Sequence, residues 1–192
     1  MSGTLFGVVL TGGTSRRMGR NKALIEVDGV AMAARVAGAL RDAGCLEVVA
    51  YGGDPDELAP LGLPVLPDRY PGTGPLGGVL GALELFESYE DPVAGVFVVA
   101  CDLPALTGVD LDGLVEAFRD RPTADVVVAR TSDIEPACAI WNPIATDRIR
   151  RCFGDGERAL HVTISLLDSV EVDVSAAALR NINTPDELRG YP

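Results

Sequence analysis

Short, uninterrupted apolar runs recur along this sequence, and they constrain its fold more than any other feature does. The run Val-Phe-Val-Val-Ala at Val96–Ala100 is an example. Continuous β-branched residues indicate strands that are covered on both faces, as in a parallel sheet. The predicted strands are Phe6–Leu10, Leu46–Tyr51, Pro64–Leu66, Gly95–Ala100, Ala124–Ala129, Ala137–Trp141 and Val170–Val174.

Helical patterns separate several of these strands, as at Val30–Ala43, where Met32, Val36 and Leu40 have helical spacing. This alternation implies right-handed βαβ crossovers. We therefore predict an α/β protein with a mainly parallel sheet between two helical layers, and expect the later strands and the tail to add an antiparallel pair. No linker or repeat interrupts residues 1–192, so one domain is predicted. The other predicted helices are Leu76–Tyr89, Asp110–Asp120, Pro143–Cys152, Gly156–Leu167 and a last one with a capping box at Thr184-Pro185-Asp186-Glu187.

Charge and cysteine content exclude several classes of protein. The net charge of −12 (16 Lys and Arg against 28 Asp and Glu) argues against nonspecific nucleic-acid binding. The apolar runs are too short to cross a bilayer, and no secretory signal is visible at the start. The scattered cysteines suit free thiols in a reducing cytoplasm better than disulfides or zinc ligands, so a cytoplasmic protein is expected. They are Cys45, Cys101, Cys138 and Cys152.

The first strand runs into a glycine-rich loop that carries cations, within Leu5–Lys22. Exposed N–H groups beside fixed positive charge favour a polyphosphate, which predicts a nucleoside-triphosphate site. The loop is not a Walker A motif, because Ala23 follows Lys22. It does not match the dinucleotide fingerprint either, because Gly12 and Gly13 are adjacent and Ala23–Val27 is predicted to be a short extended piece instead of a helix. An ordinary surface turn with solvated arginines is the alternative. The cations are Arg16, Arg17, Arg20 and Lys22.

Two further segments contain candidate carboxylates. Asp102 leaves the buried strand Gly95–Ala100 directly and could bind Mg²⁺; its alternative role is a turn or helix cap. Asp68 lies within Pro67–Gly78, where three prolines and four glycines would let a ligand approach the backbone closely. Asp68 could accept hydrogen bonds from a base or a ribose, and the alternative is a rigid connection with a solvated carboxylate.

The remaining polar candidates are weaker. His161 is the only histidine, which excludes histidine metal clusters and disfavours a Ser-His-Asp triad. We expect it to be a packed or surface side chain. Arg150 and Arg151 are predicted to form a solvated helix face. By themselves Arg158, Asn181 and Asn183 suggest structural roles.

Taken in order, these segments resemble the molybdenum cofactor guanylyltransferase family. That family has Leu-Ala-Gly-Gly, Arg-Met-Gly, Asp-Lys, an Asp followed by Pro-Gly and Gly-Pro-Leu-Ala-Gly, then Cys-Asp-x-Pro, Gly-Glu-Arg and Asn-x-Asn-Thr-Pro-Glu-Glu-Leu. The resemblance spans nearly the whole chain. The similar segments are Leu10–Gly13, Arg17–Gly19, Asn21–Lys22, Asp68, Pro71–Gly78, Cys101–Pro104, Gly156–Arg158 and Asn181–Leu188.

The resemblance implies a three-layer, Rossmann-like α/β fold of the nucleotide-diphospho-sugar transferase type, and transfer of GMP from GTP to molybdopterin or its molybdenum-loaded form with Mg²⁺. It implies catalytic roles for Lys22, Arg17 and Asp102, the last as the metal ligand. The implied nucleotide-binding residues are Leu10, Thr11, Gly12, Gly13, Lys22, Asp68 and Asp102, and the implied pterin contacts are Arg158, Asn181 and Asn183. We expect Lys22 and Asp102 to flank one cavity, and a monomer that contacts other cofactor-biosynthesis proteins transiently.

The chain departs from the family at four places: Thr11 replaces Ala, Asn21 replaces Asp, Gly52-Gly53 stands where Asn is frequent, and Glu135 stands where His is common. Thr11 would add a hydroxyl close to the base. The alternatives are a CTP-dependent molybdopterin cytidylyltransferase, a sugar-phosphate nucleotidyltransferase, and a non-catalytic nucleotide-binding homologue. The second glycine of the first loop and the Gly-Pro-Leu after Asp68 favour GTP.

Overall fold

The computed structural model describes residues 4–12, 21–87, 89, 92–183 and 187–188. Its strands are β1 (Thr4–Leu10), β2 (Glu26–Val27), β3 (Val30–Ala31), β4 (Glu47–Tyr51), β5 (Val65–Leu66), β6 (Val93–Ala100), β7 (Val126–Arg130), β8 (Ile134–Trp141) and β9 (Ser169–Asp173). Its α-helices are α1 (Met32–Asp42), α2 (Pro55–Leu58), α3 (Pro75–Phe86), α4 (Gly108–Asp120), α5 (Thr146–Gly154) and α6 (Leu160–Ser165).

The main sheet has seven strands in the spatial order β5-β4-β1-β6-β8-β7-β9. The predicted mainly parallel sheet is confirmed, because within it only β8 runs antiparallel to its neighbours, β6 and β7. The tight turn after Arg130 reverses the chain into β8. The edge strand β9 lies parallel to β7, so the antiparallel pairing in this sheet comes from β8 and not from β9.

Helices cover both faces of this sheet, which confirms the three-layer α/β/α architecture. On one face α1 and α4 pack on side chains such as Val9, Val99 and Val127. On the other, α3, α5 and α6 pack on Phe6, Val98 and their neighbours. Since successive residues of a strand point to opposite faces, strands buried on both sides need continuous apolar runs. The pattern seen in the sequence has this cause.

Some local predictions differ from the structure. Residues Lys22–Leu24 form a short 3₁₀ helix that leads into the β2–β3 hairpin, whereas the sequence predicted one extended piece over Ala23–Val27. The predicted helix Gly156–Leu167 is reduced to α6, because Gly156 has a φ of +97° and residues 156–159 form a loop. The Thr184 capping box lies outside the described residues, although Glu187 accepts a hydrogen bond from the backbone N–H of Asn183.

The thiols behave largely as predicted. Cys45, Cys101 and Cys138 are buried, Cys152 is half-buried, and all four are free. Burial raises the pKa of each of the three buried thiols from 9.0 to about 12. Within the described ranges, no helix combines the length and the apolar character needed to cross a membrane.

Candidate active site

Three chain segments meet at the carboxyl edge of the central strands. The last residue of β1, Leu10, lies opposite Tyr51 at the end of β4 and Ala100 at the end of β6. The residues that follow these three strand ends therefore lie close together at one edge of the sheet, which we call the rim. Ligands of open α/β sheets bind at this edge. The segments brought together are Thr11–Gly12, Gly52–Gly53 and Cys101–Pro104.

The first loop begins with its backbone already bonded to β4. The N–H groups of Thr11 and Gly12 both donate to the carbonyl oxygen of Tyr51, at 3.0 and 3.1 Å. The Thr11 hydroxyl donates to the carbonyl oxygen of Gly52 at 2.6 Å, and its side chain is buried. These two N–H groups therefore do not point freely at a phosphate. Gly13 and Arg17, which the sequence also assigned to nucleotide binding or catalysis, lie outside the described residues.

Glycine is required where β4 ends. Gly52 has a φ of +83°, and a Cβ there would lie 2.8 Å from the Cα of Gly12. L-residues rarely adopt this backbone conformation, and real Cβ atoms essentially never approach another atom so closely. Gly53 has a φ of +89°, and its Cβ would lie 2.7 Å from Leu58. Gly52 thus lets the first loop and the end of β4 lie backbone against backbone, and Gly53 leaves room for the Leu58 side chain.

Asp68 completes this part of the rim. A Cβ on Gly12 would lie 3.7 Å from Oδ2 of Asp68, so the carboxylate lies beside the first loop. Oδ1 of Asp68 accepts the N–H of Tyr70 at 2.8 Å. The N–H of Arg69 donates to the Tyr51 hydroxyl at 2.9 Å. We call Thr11, Gly12, Gly52 and Asp68 the glycine side of the site.

The opposite part of the rim is ionic. Nζ of Lys22 lies 2.5 Å from Oδ2 of Asp102 and 2.6 Å from Oδ1 of Asn183. Their segments are held in place separately: Asn21 caps the 3₁₀ helix of Lys22 through the N–H of Ala23, and the N–H of Ile182 donates to the carbonyl oxygen of Asp102. The structure thus brings Lys22 and Asp102 together. We call Lys22, Asp102 and Asn183 the ionic side.

The donor set of the ionic side fits a divalent ion. A carboxylate oxygen and an amide oxygen already converge on one positive charge, and hard cations such as Mg²⁺ prefer such oxygen donors. Among the described residues, no cluster of three or more His, Cys, Asp or Glu could form a protein-only cage. Such a site would therefore take its other ligands from phosphates and water, as Mg²⁺ sites commonly do.

The other predicted substrate residues, Arg158 and Asn181, have no described hydrogen bond or ion pair with Lys22 or Asp102. The Arg158 guanidinium stacks on the Phe153 ring at 4.0 Å and donates to the carbonyl oxygen of Phe153 at 2.7 Å. Backbone N–H groups of Ala159 and Arg158 lower the pKa of the neighbouring Glu157. Asn181 is exposed. The described contacts therefore place Asn183, but neither Arg158 nor Asn181, against the ionic side.

Sequence reasoning missed a polar network beneath the Asp68 loop. Glu84 accepts from the Tyr70 hydroxyl at 2.9 Å and pairs with Arg150 at 3.1 Å. Arg150 also pairs with Glu87 and Asp147, so this side chain, 40% exposed on the helix surface, takes part in an ion-pair network that the sequence did not predict. A signal was present, since Glu84 is the only charged residue of α3. His161 is exposed, as expected, and lines an open cavity of about 590 Å³.

A Rossmann-like sheet with lysine and aspartate paired at its carboxyl edge fits the class of nucleotidyltransferases. The model of the MobA-like NTP transferase domain matches residues 7–170. The molybdenum cofactor guanylyltransferase of Rhodobacter capsulatus is 33% identical, over 95% of this chain and 92% of its own. That of Mesorhizobium japonicum is 34% identical, over 95% and 91%. The chain belongs to the MobA-like NTP transferase family.

Solved structures have the same fold. Molybdopterin-guanine dinucleotide biosynthesis protein A of Archaeoglobus fulgidus superposes with a TM-score of 0.75 at 24% identity, over 96% of this chain and 95% of that one. The 2-C-methyl-D-erythritol 4-phosphate cytidylyltransferase of Thermus thermophilus gives 0.68 at 16% identity, over 95% and 94%. At these identities the likeness concerns the fold alone.

Proposed function

We propose that this protein transfers GMP from GTP to molybdopterin or its molybdenum-loaded form, giving the guanine dinucleotide and pyrophosphate. The observation that carries the proposal is the pairing of Lys22 with Asp102 at 2.5 Å, at the same rim as Asp68 and the first loop. A nucleoside triphosphate needs cations and a metal ligand for its phosphates and a pocket for its nucleoside, and these groups must lie no farther apart than the length of the nucleotide. The relatives named as guanylyltransferases support GTP and the molybdenum cofactor as the substrates.

The two sides bind different parts of the nucleotide. The glycine side, with Leu10 and Gly13, binds the nucleoside, where the Asp68 carboxylate can accept hydrogen bonds from the base or the ribose. Lys22 and Arg17 neutralise the phosphates. An ammonium group has three N–H donors, and the contacts with Asp102 and Asn183 use two of them, so one is left for a phosphate oxygen.

The reaction joins two anions, so alignment and charge are its main barriers. The terminal phosphate of molybdopterin attacks the α-phosphorus of GTP, a new P–O bond forms, and the bond to pyrophosphate breaks. The attacking oxygen is already ionised, so no protein nucleophile is required. Cys101, next to Asp102, is unsuited to that role because burial raises its thiol pKa to about 12. Catalysis by the chain is therefore positioning plus electrostatic stabilisation.

We propose that Asp102 holds Mg²⁺, with Oδ1 available while Oδ2 contacts Lys22. Bound there, the ion would supply positive charge to the α- and β-phosphates. Arg158, Asn181 and Asn183 are proposed to contact the pterin substrate. For Asn183 this means one side chain serves both Lys22 and the acceptor, because its amide N–H₂ can donate while Oδ1 accepts from Lys22.

We further propose that residues 1–192 act as a single nucleotidyltransferase domain and a monomer that contacts other cofactor-biosynthesis proteins transiently. Four free thiols, three of them buried, suit the reducing cytoplasm.

The test is a direct assay of the purified protein with GTP, Mg²⁺ and molybdopterin, followed by chromatography of the released pterin and by pyrophosphate detection. Guanine dinucleotide and pyrophosphate should form in equal amounts. Parallel reactions with CTP, ATP and UTP set the base preference, and a reaction without the pterin sets the hydrolysis background. Faster turnover with CTP would replace GTP in the proposal. GTP binding without any dinucleotide would indicate a non-catalytic nucleotide-binding protein.

A further inference from the structure

Tyr51 connects the two halves of the glycine side. Its carbonyl oxygen accepts the N–H groups of Thr11 and Gly12, at 3.0 and 3.1 Å. Its side chain is 1% exposed, and its hydroxyl accepts the N–H of Arg69 at 2.9 Å. One residue at the end of β4 therefore bonds the first loop through its backbone and the Asp68 loop through its side chain.

The hydroxyl occupies space that only glycine leaves open. A Cβ at Gly81 would lie 1.9 Å from the Tyr51 hydroxyl oxygen and 2.9 Å from the ring carbon that bears it. Gly81 lies inside α3, where glycine is unfavourable relative to alanine. The missing side chain is thus explained by the tyrosine that fills its place.

The bond to Arg69 acts directly on Asp68. Arg69 follows Asp68 in the chain, and the next N–H, that of Tyr70, donates to Oδ1 of Asp68 at 2.8 Å. Fixing the Arg69 N–H therefore fixes the turn that aims the carboxylate toward Gly12. On its outer side the same turn is held by the Tyr70 hydroxyl, which donates to Glu84 at 2.9 Å. Burial raises the pKa of Tyr51, so its hydroxyl is neutral and an acceptor at neutral pH.

We propose that Tyr51 is a positioning residue for the nucleoside: its hydroxyl, admitted by Gly81, sets the orientation of the Asp68 carboxylate without touching the nucleotide. The proposal rests on the proposed function, because it takes Asp68 to be a nucleoside contact. A purely structural role would lower stability and leave nucleoside affinity unchanged. A positioning role changes affinity for the nucleoside but not for the phosphates, which meet the ionic side.

The test is Tyr51→Phe, which keeps the buried ring and removes one oxygen. Loss of one hydrogen bond predicts that the Arg69 amide exchanges with solvent about tenfold faster and that KM for GTP rises about three- to tenfold. kcat should stay within about twofold, because Asp68 contacts the nucleoside equally in ground and transition states. Inhibition by GMP should weaken by the same factor as KM, whereas inhibition by inorganic tripolyphosphate should not change.

Matched variants separate this effect from general damage. Tyr89→Phe removes a half-exposed hydroxyl that donates to Glu47, and it should leave all five measurements unchanged. Gly81→Ala should raise KM for GTP at least as much as Tyr51→Phe does, and the double variant should show much less than the sum. Gly38→Ala places a methyl group in α1 with no atom within 4 Å and should leave KM unchanged.

Each outcome has a definite meaning. Faster Arg69 exchange with unchanged GMP inhibition would overturn the positioning role, and so would equal losses for GMP and tripolyphosphate. Additive effects of Tyr51→Phe and Gly81→Ala would contradict the pairing of these residues. A wild-type protein that binds no guanine nucleotide would instead contradict the proposed function, while the Arg69 exchange rate would still report on the bond itself.

Discussion

The glycine side and the ionic side lie at the same rim, but the first depends on backbone contacts and the second on polar side chains. On the glycine side, backbone groups bond to backbone groups, Gly12 touches Gly52, and the participating side chain of Thr11 is buried. The ionic side consists of three polar side chains that come from distant parts of the sequence and meet at Nζ of Lys22. One side is defined by shape, and the other by charge.

This difference indicates how each side responds to change. The glycine side tolerates few substitutions, because its shape depends on positive φ angles and on two backbone segments that lie against each other. Substitutions there should lower stability and nucleoside affinity. The ionic side tolerates changes of shape but not of charge. Substitutions that remove a charge there should lower turnover and phosphate affinity. Substitutions on the two sides should therefore produce separable phenotypes.

The largest effect is expected for Asp102→Asn. Loss of the carboxylate removes the proposed metal ligand and the charge partner of Lys22, and metal stabilisation is worth several kcal/mol, so kcat should fall at least about a hundredfold. Steady-state turnover and Mg²⁺ titration measure this. Asp112→Asn, at an exposed position of α4, is the control. Near-normal turnover would contradict the metal assignment, and a large loss of GMP affinity would contradict the division into two sides.

Lys22→Ala should act next most strongly, on the phosphates. Loss of a charge-assisted contact predicts about 2–3 kcal/mol in GTP affinity and much less in GMP affinity. Titration calorimetry with both nucleotides measures the difference, and Arg119→Ala on exposed α4 is the control. Because Lys22 is the only lysine, its side-chain amine can also be followed by reductive methylation, which GTP should slow. Equal losses for GTP and GMP would argue against a phosphate role.

The sequence predicted the ionic side better than the glycine side, for a physical reason. Strand ends and parallel pairing determine which edge of a sheet a residue reaches, so the meeting of Lys22 and Asp102 follows from topology. The partner of each polar group does not, because it depends on distances of a few tenths of an ångström. The sequence did not indicate that the Thr11 hydroxyl donates to the Gly52 carbonyl oxygen, so that two departures from the family pattern bond to each other.

The same limit explains the fold predictions. Continuous apolar runs and helical spacing predicted the sheet and the larger helices, because burial of whole faces controls them. Short elements depend on local backbone geometry, so α2 and the β2–β3 hairpin were missed. The ion pairs of Arg150 could not be predicted, because their partners Glu84 and Glu87 lie more than 60 residues away in the chain.

Gly52→Ala should give a smaller effect, divided between stability and affinity. The substitution forces an L-residue to a φ of +83° and places its Cβ 2.8 Å from Gly12, which predicts a loss of about 2 kcal/mol in the free energy of unfolding and a raised KM for GTP. Gly62→Ala separates the causes, since Gly62 has a φ of +63° with no atom within 4 Å of its Cβ. It should cost only about 1 kcal/mol. Equal losses in the two variants would show that the close approach to Gly12 is unimportant.

The smallest effect is expected for Thr11→Val, which preserves the shape of the buried side chain and removes its hydroxyl. The Gly52 carbonyl oxygen then loses the 2.6 Å bond, and the free energy of unfolding should fall by about 1 kcal/mol. Thr11→Ser keeps the hydroxyl, so its KM for GTP should stay close to the wild-type value. Denaturant titration measures the free energy of unfolding of both variants, and steady-state kinetics measures their KM for GTP. If the glycine side is held by shape, Thr11→Val also leaves inhibition by tripolyphosphate unchanged. Weaker tripolyphosphate inhibition in this variant would show that the two sides are one coupled unit.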